Sequence, residues 1–402
     1  KEKGFPSLPV FRVGIYNQVH TIRCPPSGDC PGNPTGRTMI NHLHHIKIQG
    51  FKSINRLDLK MRPINILIGA NGAGKSNFIS VFTFLRNLSD GKLQSYVEKN
   101  GFANTFFHFG AKHTPKITID IDIGHNGYHV DFIHGEANDA LVFENEFCTF
   151  SGSNRIYKIK GKLGESGLRT GEADSAYVRD YTRTYMQKCR VYHFHDTSPT
   201  AGFKQAQKLS SSFSLQSDAS NLAPFLIYLK KNHHKSYDEI ISAIQTVTPF
   251  FHDFYLEPQG EEGNESVLLR WIHREHEIPF SANQLSDGTA RFICMAVLFL
   301  QPDSSKPSTI VLDEPELGLH PAALDVLAEI IKNVSKKTQV ICSTQSVAFA
   351  NRFDPEDFIV VDQKAGASIF KKLERDKLEH WLEDYGMGDI WTKNLIGGRP
   401  EW

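Results

Sequence analysis

Residues 64–88 constrain the fold more than any other stretch. Ile64-Asn-Ile-Leu-Ile68 reads as a short buried strand, Gly69-Ala-Asn-Gly-Ala-Gly-Lys-Ser76 as a phosphate-binding loop, and Lys75–Leu88 carries helical spacing. Strand, glycine loop and helix in that order belong to an α/β sheet with the loop at its carboxyl edge, where ligands sit. Backbone N–H groups of Asn71, Gly72, Ala73 and Gly74, little shielded by side chains, converge there on phosphate oxygens at a helix N-terminus. Lys75 is placed to reach the β- and γ-phosphates, and the Ser76 hydroxyl to coordinate magnesium. The expected ligands are ATP and Mg2+. The competing reading is a glycine-rich turn without a ligand.

Far downstream, Ser308–Leu312 reads as a second buried strand, ending in Asp313-Glu314. Two carboxylates at a strand's carboxyl edge, paired with a phosphate loop, suit phosphoryl transfer. Asp313 would hold the magnesium shell, and Glu314 would position and polarise the attacking water. Read alone, the pair would be a strand-end turn or a helix N-cap. Pro321–Val334 reads as a helix, Thr338–Cys342 and Asp357–Val361 as further strands, so this end is mostly parallel sheet.

Elsewhere the periodicity is different. His44–Gln49 and Ile54–Lys60 read as strands around the Phe51-Lys-Ser turn. Ile117–Ile123 and Tyr128–Phe132 alternate as a half-buried antiparallel hairpin. Gly161–Gly171 reads as a charged surface loop. Leu222–Leu229 and Tyr237–Val247 read as helices of a separate lobe, followed by strands near Phe254–Glu257 and Val267–Ile272 and an apolar helix running through Leu300. Near the end, Asp376–Trp381 and Met387–Asn394 read as helices. No heptad pattern predicts a long coiled coil. Lysine plus arginine balances aspartate plus glutamate at 45 each. That balance carries no global signature of nucleic-acid or membrane binding. No apolar run approaches the ~20 residues that span a bilayer. The scattered cysteines fit reduced thiols in a cytoplasmic protein better than a disulfide framework. Cys24 and Cys30 alone could form half a metal site. Lys1–Thr38, with little periodicity, is expected to be an extension, with the core beginning at Met39.

Leu285-Ser-Asp-Gly-Thr-Ala-Arg291 resembles the signature motif of ABC-type ATPases in the RecF/SMC/Rad50-like branch. Asn77 after the loop, Phe51-Lys-Ser, Leu312-Asp-Glu-Pro-Glu-Leu-Gly-Leu-His-Pro321, His193-Phe-His-Asp-Thr-Ser198, Ser220-Asn-Leu222 and Trp391-Thr-Lys-Asn-Leu-Ile-Gly-Gly-Arg-Pro400 are similar to the compact RecF-like ATPases of bacteria. The resemblance covers Met39 to Trp402. It implies an α/β ABC-ATPase head: a nucleotide-binding lobe over about 39–190 and 290–402 with an antiparallel β portion, and a helical signature lobe over about 191–289. It also implies a homodimer that sandwiches two ATP molecules, in which Ser286 and Gly288 of one copy face the γ-phosphate held by the other. Where the wider family has histidine after the last core strand, this chain has Gln345, which donates a hydrogen bond but cannot become cationic. Hydrolysis is therefore expected to be slow. No glutamine is found for the family's Q-loop; Phe107-His-Phe-Gly110 occupies the expected region. Lys52 is expected either to contact phosphate or to be a solvated turn lysine.

His193, His195 and Asp196 invite a metal reading, but no fourth ligand is identifiable, and a hydrogen-bonded junction is the expectation. Two functions stay open: an ATP-hydrolysing switch for DNA repair or anti-phage defence acting on a separate effector such as a nuclease, and an ATP-binding sensor or scaffold with marginal hydrolysis. A transporter ATPase subunit is a lesser alternative, because 209 residues separate Ser76 from Leu285. The 57 residues after Gln345 are expected to be too few for the TOPRIM nuclease domain of some relatives. DNA binding rests on the resemblance alone.

Overall fold

A computed structural model describes residues 42–398 except 152–154, 162–163 and 212. The expected extension over residues 1–38, the start at Met39, and Cys24 and Cys30 lie outside the described residues.

β1 (Leu43–Phe51) and β2 (Ile54–Lys60) form the first hairpin, and β3 (Ile64–Ile68) runs into the glycine loop and α1 (Lys75–Ser89). After α2 (Leu93–Lys99) come β4 (Lys116–Ile123), β5 (Asn126–Gly135), β6 (Ala140–Phe150) and β7 (Arg155–Lys160). α3 (Gly167–Thr170), β8 (Glu172–Ala173), α4 (Ala176–Gln187) and β9 (Cys189–Tyr192) follow. The next part holds β10 (Gln207–Lys208), α5 (Leu222–Asn232), α6 (His234–Val247), β11 (Phe251–Tyr255), β12 (Ser266–Val267), β13 (Arg270–His273) and β14 (Phe280–Ser281). The chain then runs through α7 (Asp287–Leu300), β15 (Thr309–Asp313), α8 (Pro321–Val334), β16 (Gln339–Thr344) and α9 (Val347–Ala350). It finishes with β17 (Phe358–Lys364), β18 (Ala367–Lys372), α10 (Glu379–Leu382) and α11 (Met387–Thr392).

The strands build a central sheet in the order β18-β17-β3-β16-β15-β9, parallel except at β18, and an antiparallel sheet in the order β2-β1-β4-β5-β6-β7-β8. Period-2 alternation divides the central strands between two apolar cores. Ile66, Ile310, Val340 and Phe358 face a core shared with α7 and α8, whereas Leu67, Val311, Ile341 and Ile359 face the core filled by α1. α1 is thus packed between the central sheet and the inward face of the antiparallel sheet. Phe51, Phe84 and Phe106 meet there, with Phe51 and Phe84 edge to face at 5.4 Å. β4 shows the matching alternation: Ile117, Ile119, Ile121 and Ile123 turn inward and charged residues outward.

Three expectations need correction. Gly161–Gly171 is not simply a surface loop: it contains α3, capped by Ser166, whose hydroxyl accepts from Leu168 N at 3.0 Å. The buried Glu146 carboxylate anchors it, accepting from the Ser166 hydroxyl and from Gly167 N. Val267–Ile272 is two strands, because β12 pairs with β10 whereas β13 pairs with β11. Asp376–Trp381 opens as a 3-10 turn, Arg375–Lys377, before α10. Among the described residues the longest helix is α1 at 15 residues, and no helix is long and apolar enough to cross a membrane.

Candidate active site

The phosphate loop is shaped by backbone that only glycine adopts freely. Gly72 and Gly74 have φ of +79° and +109°. A Cβ on Gly74 would stand 1.9 Å from Ser368 Oγ, while one on Gly72 would meet nothing within 4 Å. The loop is therefore clamped from behind and open in front. Ser53 and Ser368 form the clamp: Ser368 Oγ donates to Ser53 Oγ at 2.7 Å, and Asn77 Nδ2 donates to the same oxygen at 2.7 Å. Asn71 and Gly72 are exposed and Ala73 is buried. Lys75 is buried, its ammonium donating to the carbonyls of Gly69 (2.7 Å) and Ala70 (2.9 Å). Burial lowers its pKa, and the carboxylates of Glu314, Asp313 and Glu316 oppose that shift. A cationic side chain, loop amides at a helix N-terminus and an open front fit a polyphosphate anion.

β16 lies between β3 and β15, so the ends of all three strands meet. Ser76 Oγ donates to Asp313 Oδ2 at 3.3 Å. Ser343, at the end of β16, donates its hydroxyl to the other Asp313 oxygen and accepts from Glu314 N at 3.2 Å. Glu314 holds a left-handed backbone, φ +45°, a conformation that costs a non-glycine residue about 1 kcal/mol or more. Its side chain accepts a hydrogen bond from Gln345 Nε2. A serine hydroxyl beside an aspartate is an oxygen donor set suited to a hard cation such as Mg2+. Glu314 is the carboxylate next to it.

Ser286 and Gly288 stand at the start of α7. Ser286 is its N-cap, accepting from Thr289 N at 3.2 Å and pairing with Thr289 Oγ1 at 2.8 Å. Gly288 is pressed against the turn after β15, since a Cβ there would lie 2.3 Å from the Gly318 carbonyl. The bonds of Ser286 thus stay within its own helix end.

The other expected residues fall differently. Lys52 is not a solvated turn lysine: its ammonium donates to Ser80 Oγ on α1 at 3.1 Å and lies over the rings of Phe51 and Phe106. Phe107–Gly110 lies on the antiparallel-sheet side. It packs on the β1–β2 turn, where the His108 ring donates to the Lys52 carbonyl at 2.7 Å and Phe107 bridges Phe51. The strand parallel to β15 on its far side is β9, with Tyr192 opposite Leu312, so His193 follows beside Asp313. The His193 and His195 rings are 6.4 Å apart, and Asp196 accepts from Ser198 N. Among the described residues, no three His, Cys, Asp or Glu side chains form a metal-holding group. Two contributors lie outside these expectations. Glu316 is buried beneath Gln345, and the Gly397-Gly398 turn brings Gly398 against Gly69, where a Cβ would lie 3.5 Å from the Gly69 Cα. The Glu-Pro-Glu and Gly-Gly spacings were visible, but neither says which part of the fold it will meet.

A phosphate loop and a strand-end Asp-Glu pair joined across an intervening strand, with a capped signature helix beyond, define a P-loop ATPase of the ABC type. The chain belongs to the AAA_21 family, described as "AAA domain, putative AbiEii toxin, Type IV TA system", whose model matches residues 64–351. It is 23% identical over 390 residues to the Old nuclease of Escherichia phage P2, a match covering 85% of this chain and 62% of that protein. It is 20% identical over 381 residues to the OLD nuclease of Thermus scotoductus, covering 89% and 68% respectively. The chain therefore spans less than two thirds of the phage relative's length. Among solved structures, an SmcHead bound to the C-winged helix domain of ScpA matches with a TM-score of 0.53 at 14% identity, over 84% of this chain and 99% of that one. The fold is that of an SMC-like head.

Proposed function

We propose that the chain binds ATP with Mg2+ and hydrolyses it as a dimerising switch. Asn71–Asn77 hold the triphosphate, Ser76 and Asp313 the metal shell, and Glu314 aligns water with help from Gln345. Ser286 and Gly288 of each copy complete the site of the other. The observation that carries this reading is the unbroken hydrogen-bonded chain from Ser76 through Asp313 and Ser343 to Glu314 and Gln345. It joins the phosphate loop to a positioned carboxylate. Steady-state phosphate release by wild type and Glu314→Gln tests it: the variant should lose about 100-fold or more, the scale of a general base. Equal rates would remove Glu314 from the mechanism.

A second reading has its own observation. The Gln345 amide already donates to Glu314, engaging the base, and a glutamine at this position cannot take a proton as an imidazole does. On that reading ATP holds a sensor closed, and turnover stays below about one per minute, in the range of unassisted NTPase switches. Tight nucleotide retention with negligible phosphate release would favour it.

The cellular setting proposed is DNA repair or anti-phage defence, from the resemblance to RecF-like ATPases, with cleavage carried by a separate effector. The relatives named as nucleases support a rival assignment, in which cleavage resides in the same polypeptide. Incubating the purified chain with DNA and Mg2+ separates the two, and cleavage by the chain alone would reject the separate effector.

A further inference from the structure

The turn that follows Asp313 and Glu314 carries a third carboxylate, Glu316, which the chemistry above does not use. Its side chain runs back beneath the end of β16. Oε1 accepts from the Thr344 hydroxyl at 2.5 Å and from the Gln345 backbone N–H at 3.2 Å. Oε2 is buried with no hydrogen-bond partner. Burial pushes the Glu316 carboxyl above its ordinary range, and its donors, Thr344 foremost, pull the other way. A buried carboxylate with an orphaned oxygen is a costly way to satisfy two donors, which a glutamine amide oxygen could also meet. Its position shows what the carboxylate holds. Gln345 is fixed through its backbone by Glu316, while its side-chain amide donates to Glu314 Oε1. Glu314, Pro315, Glu316 and Gln345 thus close a ring between the turn after β15 and the end of β16.

We infer that Glu316 is a positioning residue for hydrolysis: it fixes Gln345 and, through it, the angle at which Glu314 meets the attacking water. The inference rests on the ATPase reading above and deepens it. The hydrogen bonds of Glu316 go to Thr344 and Gln345 and not to the phosphate loop, and only its charge reaches Lys75, so its removal should act mainly on turnover.

The test compares wild type, Glu316→Ala, Glu316→Gln, Gln345→Ala and the double variant Glu316→Ala/Gln345→Ala. Kinetics of phosphate release, the Kd of a fluorescent ATP analogue and hydrogen exchange of the peptide covering 343–350 are measured for each. Glu316→Ala should lower kcat about 10- to 100-fold while KM and Kd stay within about 2-fold, the signature of a lost transition-state interaction. Glu316→Gln, whose amide oxygen still accepts both donors, should restore most of the rate. The double variant should be no slower than Gln345→Ala, because the two residues act in series. Exchange at Gln345 should rise in Glu316→Ala and not in Glu316→Gln.

Multiplied losses in the double variant, a parallel fall in nucleotide affinity, or unchanged exchange would overturn the assignment. If Glu316→Ala does not fold, Thr344→Val removes one of the two donors to the same oxygen, and an unchanged kcat there would also overturn it. Equal turnover by wild type and Glu314→Gln would instead remove Glu314 from the mechanism, which is the reading this inference rests on. Exchange at Gln345 needs no turnover, so it still decides the Glu316 contact in that case.

Discussion

Ser76 and Asp313 stand 237 positions apart in the sequence and 3.3 Å apart in the fold. β3 and β15 are not neighbours, so β16 must lie between them and end at the same level for the two side chains to meet. The hydroxyl comes from the first turn of α1 and the carboxylate from the end of a buried strand, so neither is free to drift. On the function proposed above, one oxygen from each side would serve Mg2+, which keeps several waters and takes few protein ligands.

Replacing Ser76 with alanine should therefore abolish the metal-dependent part of nucleotide binding and leave the rest. Wild type should bind ATP about 10-fold or more tightly with Mg2+ than with a chelator, on the scale of one charge-assisted contact. Ser76→Ala should show nearly the same Kd in both conditions by isothermal titration calorimetry. A full magnesium increment in the variant would place the metal elsewhere.

Gly69 is boxed in on two sides. A Cβ there would lie 2.1 Å from the Val361 carbonyl on β17, and Gly398 packs close by. Backbone cannot yield as a flexible side chain does, so Gly69→Ala must displace either β17 or the loop. A cost of about 1–3 kcal/mol is expected from overpacking, together with loss of ATP binding. Chemical denaturation and a fluorescent-nucleotide titration would measure both. Gly72→Ala, which meets no neighbour but must hold φ at +79°, should keep more of the fold's stability than Gly69→Ala.

The antiparallel sheet makes a separate, acid-sensitive contribution. Asp131 is buried on β5, and burial alone would raise its carboxyl. Hydrogen bonds from Thr118, Asn145, His129 and Lys116 outweigh that and bring it to about 2. A carboxyl whose folded pKa is depressed stabilises above its unfolded value near 3.8, and loses that contribution as pH falls through the folded one. The shift corresponds to about 2 kcal/mol at neutral pH. Asp131→Asn should lower the urea midpoint at pH 7 and progressively less between pH 4 and about 2, the interval bounded by the two values. A deficit independent of pH would assign the loss to packing alone.

The parts of this protein legible beforehand are those whose meaning is local. The strand, loop and helix at 64–88 announce themselves because the loop conformation demands glycine and the flanks show period-2 and helical spacing. The Asp313-Glu314 strand end is legible for the same reason. What was not legible depends on which strands become neighbours. β9 holds four residues, too few for periodicity to speak, and only its pairing with β15 brings His193 to the site. Gly161–Gly171 reads as solvent-facing because its glycines and charges hide the buried Leu168 and the Ser166 cap. Glu316 looks like one more surface carboxylate until the fold puts Thr344 and Gln345 above it.

The signature helix is tied to the rest of the site by one guanidinium. Arg291, one turn beyond Gly288, donates from Nη1 to the Leu317 carbonyl at 2.9 Å and from Nη2 to the His195 carbonyl at 3.0 Å. It thereby joins α7 to the turn after Glu314 and to the segment after β9. If Ser286 serves a partner's nucleotide, its placement relative to this chain's own Glu314 turn is set by that bridge. Arg291→Ala should leave the ATP affinity of a single chain within about 2-fold, since no phosphate-loop contact is touched. In a Glu314→Gln background it should weaken ATP-dependent dimerisation by about 10-fold or more, the scale of one lost charge-assisted hydrogen bond. Arg291→Lys should be intermediate, because a compact ammonium lacks the planar fork that spans both carbonyls. Analytical ultracentrifugation with and without ATP would measure all three. Undiminished dimers in Arg291→Ala would mean that the helix end is held by its packing on Gly318 and not by this bridge.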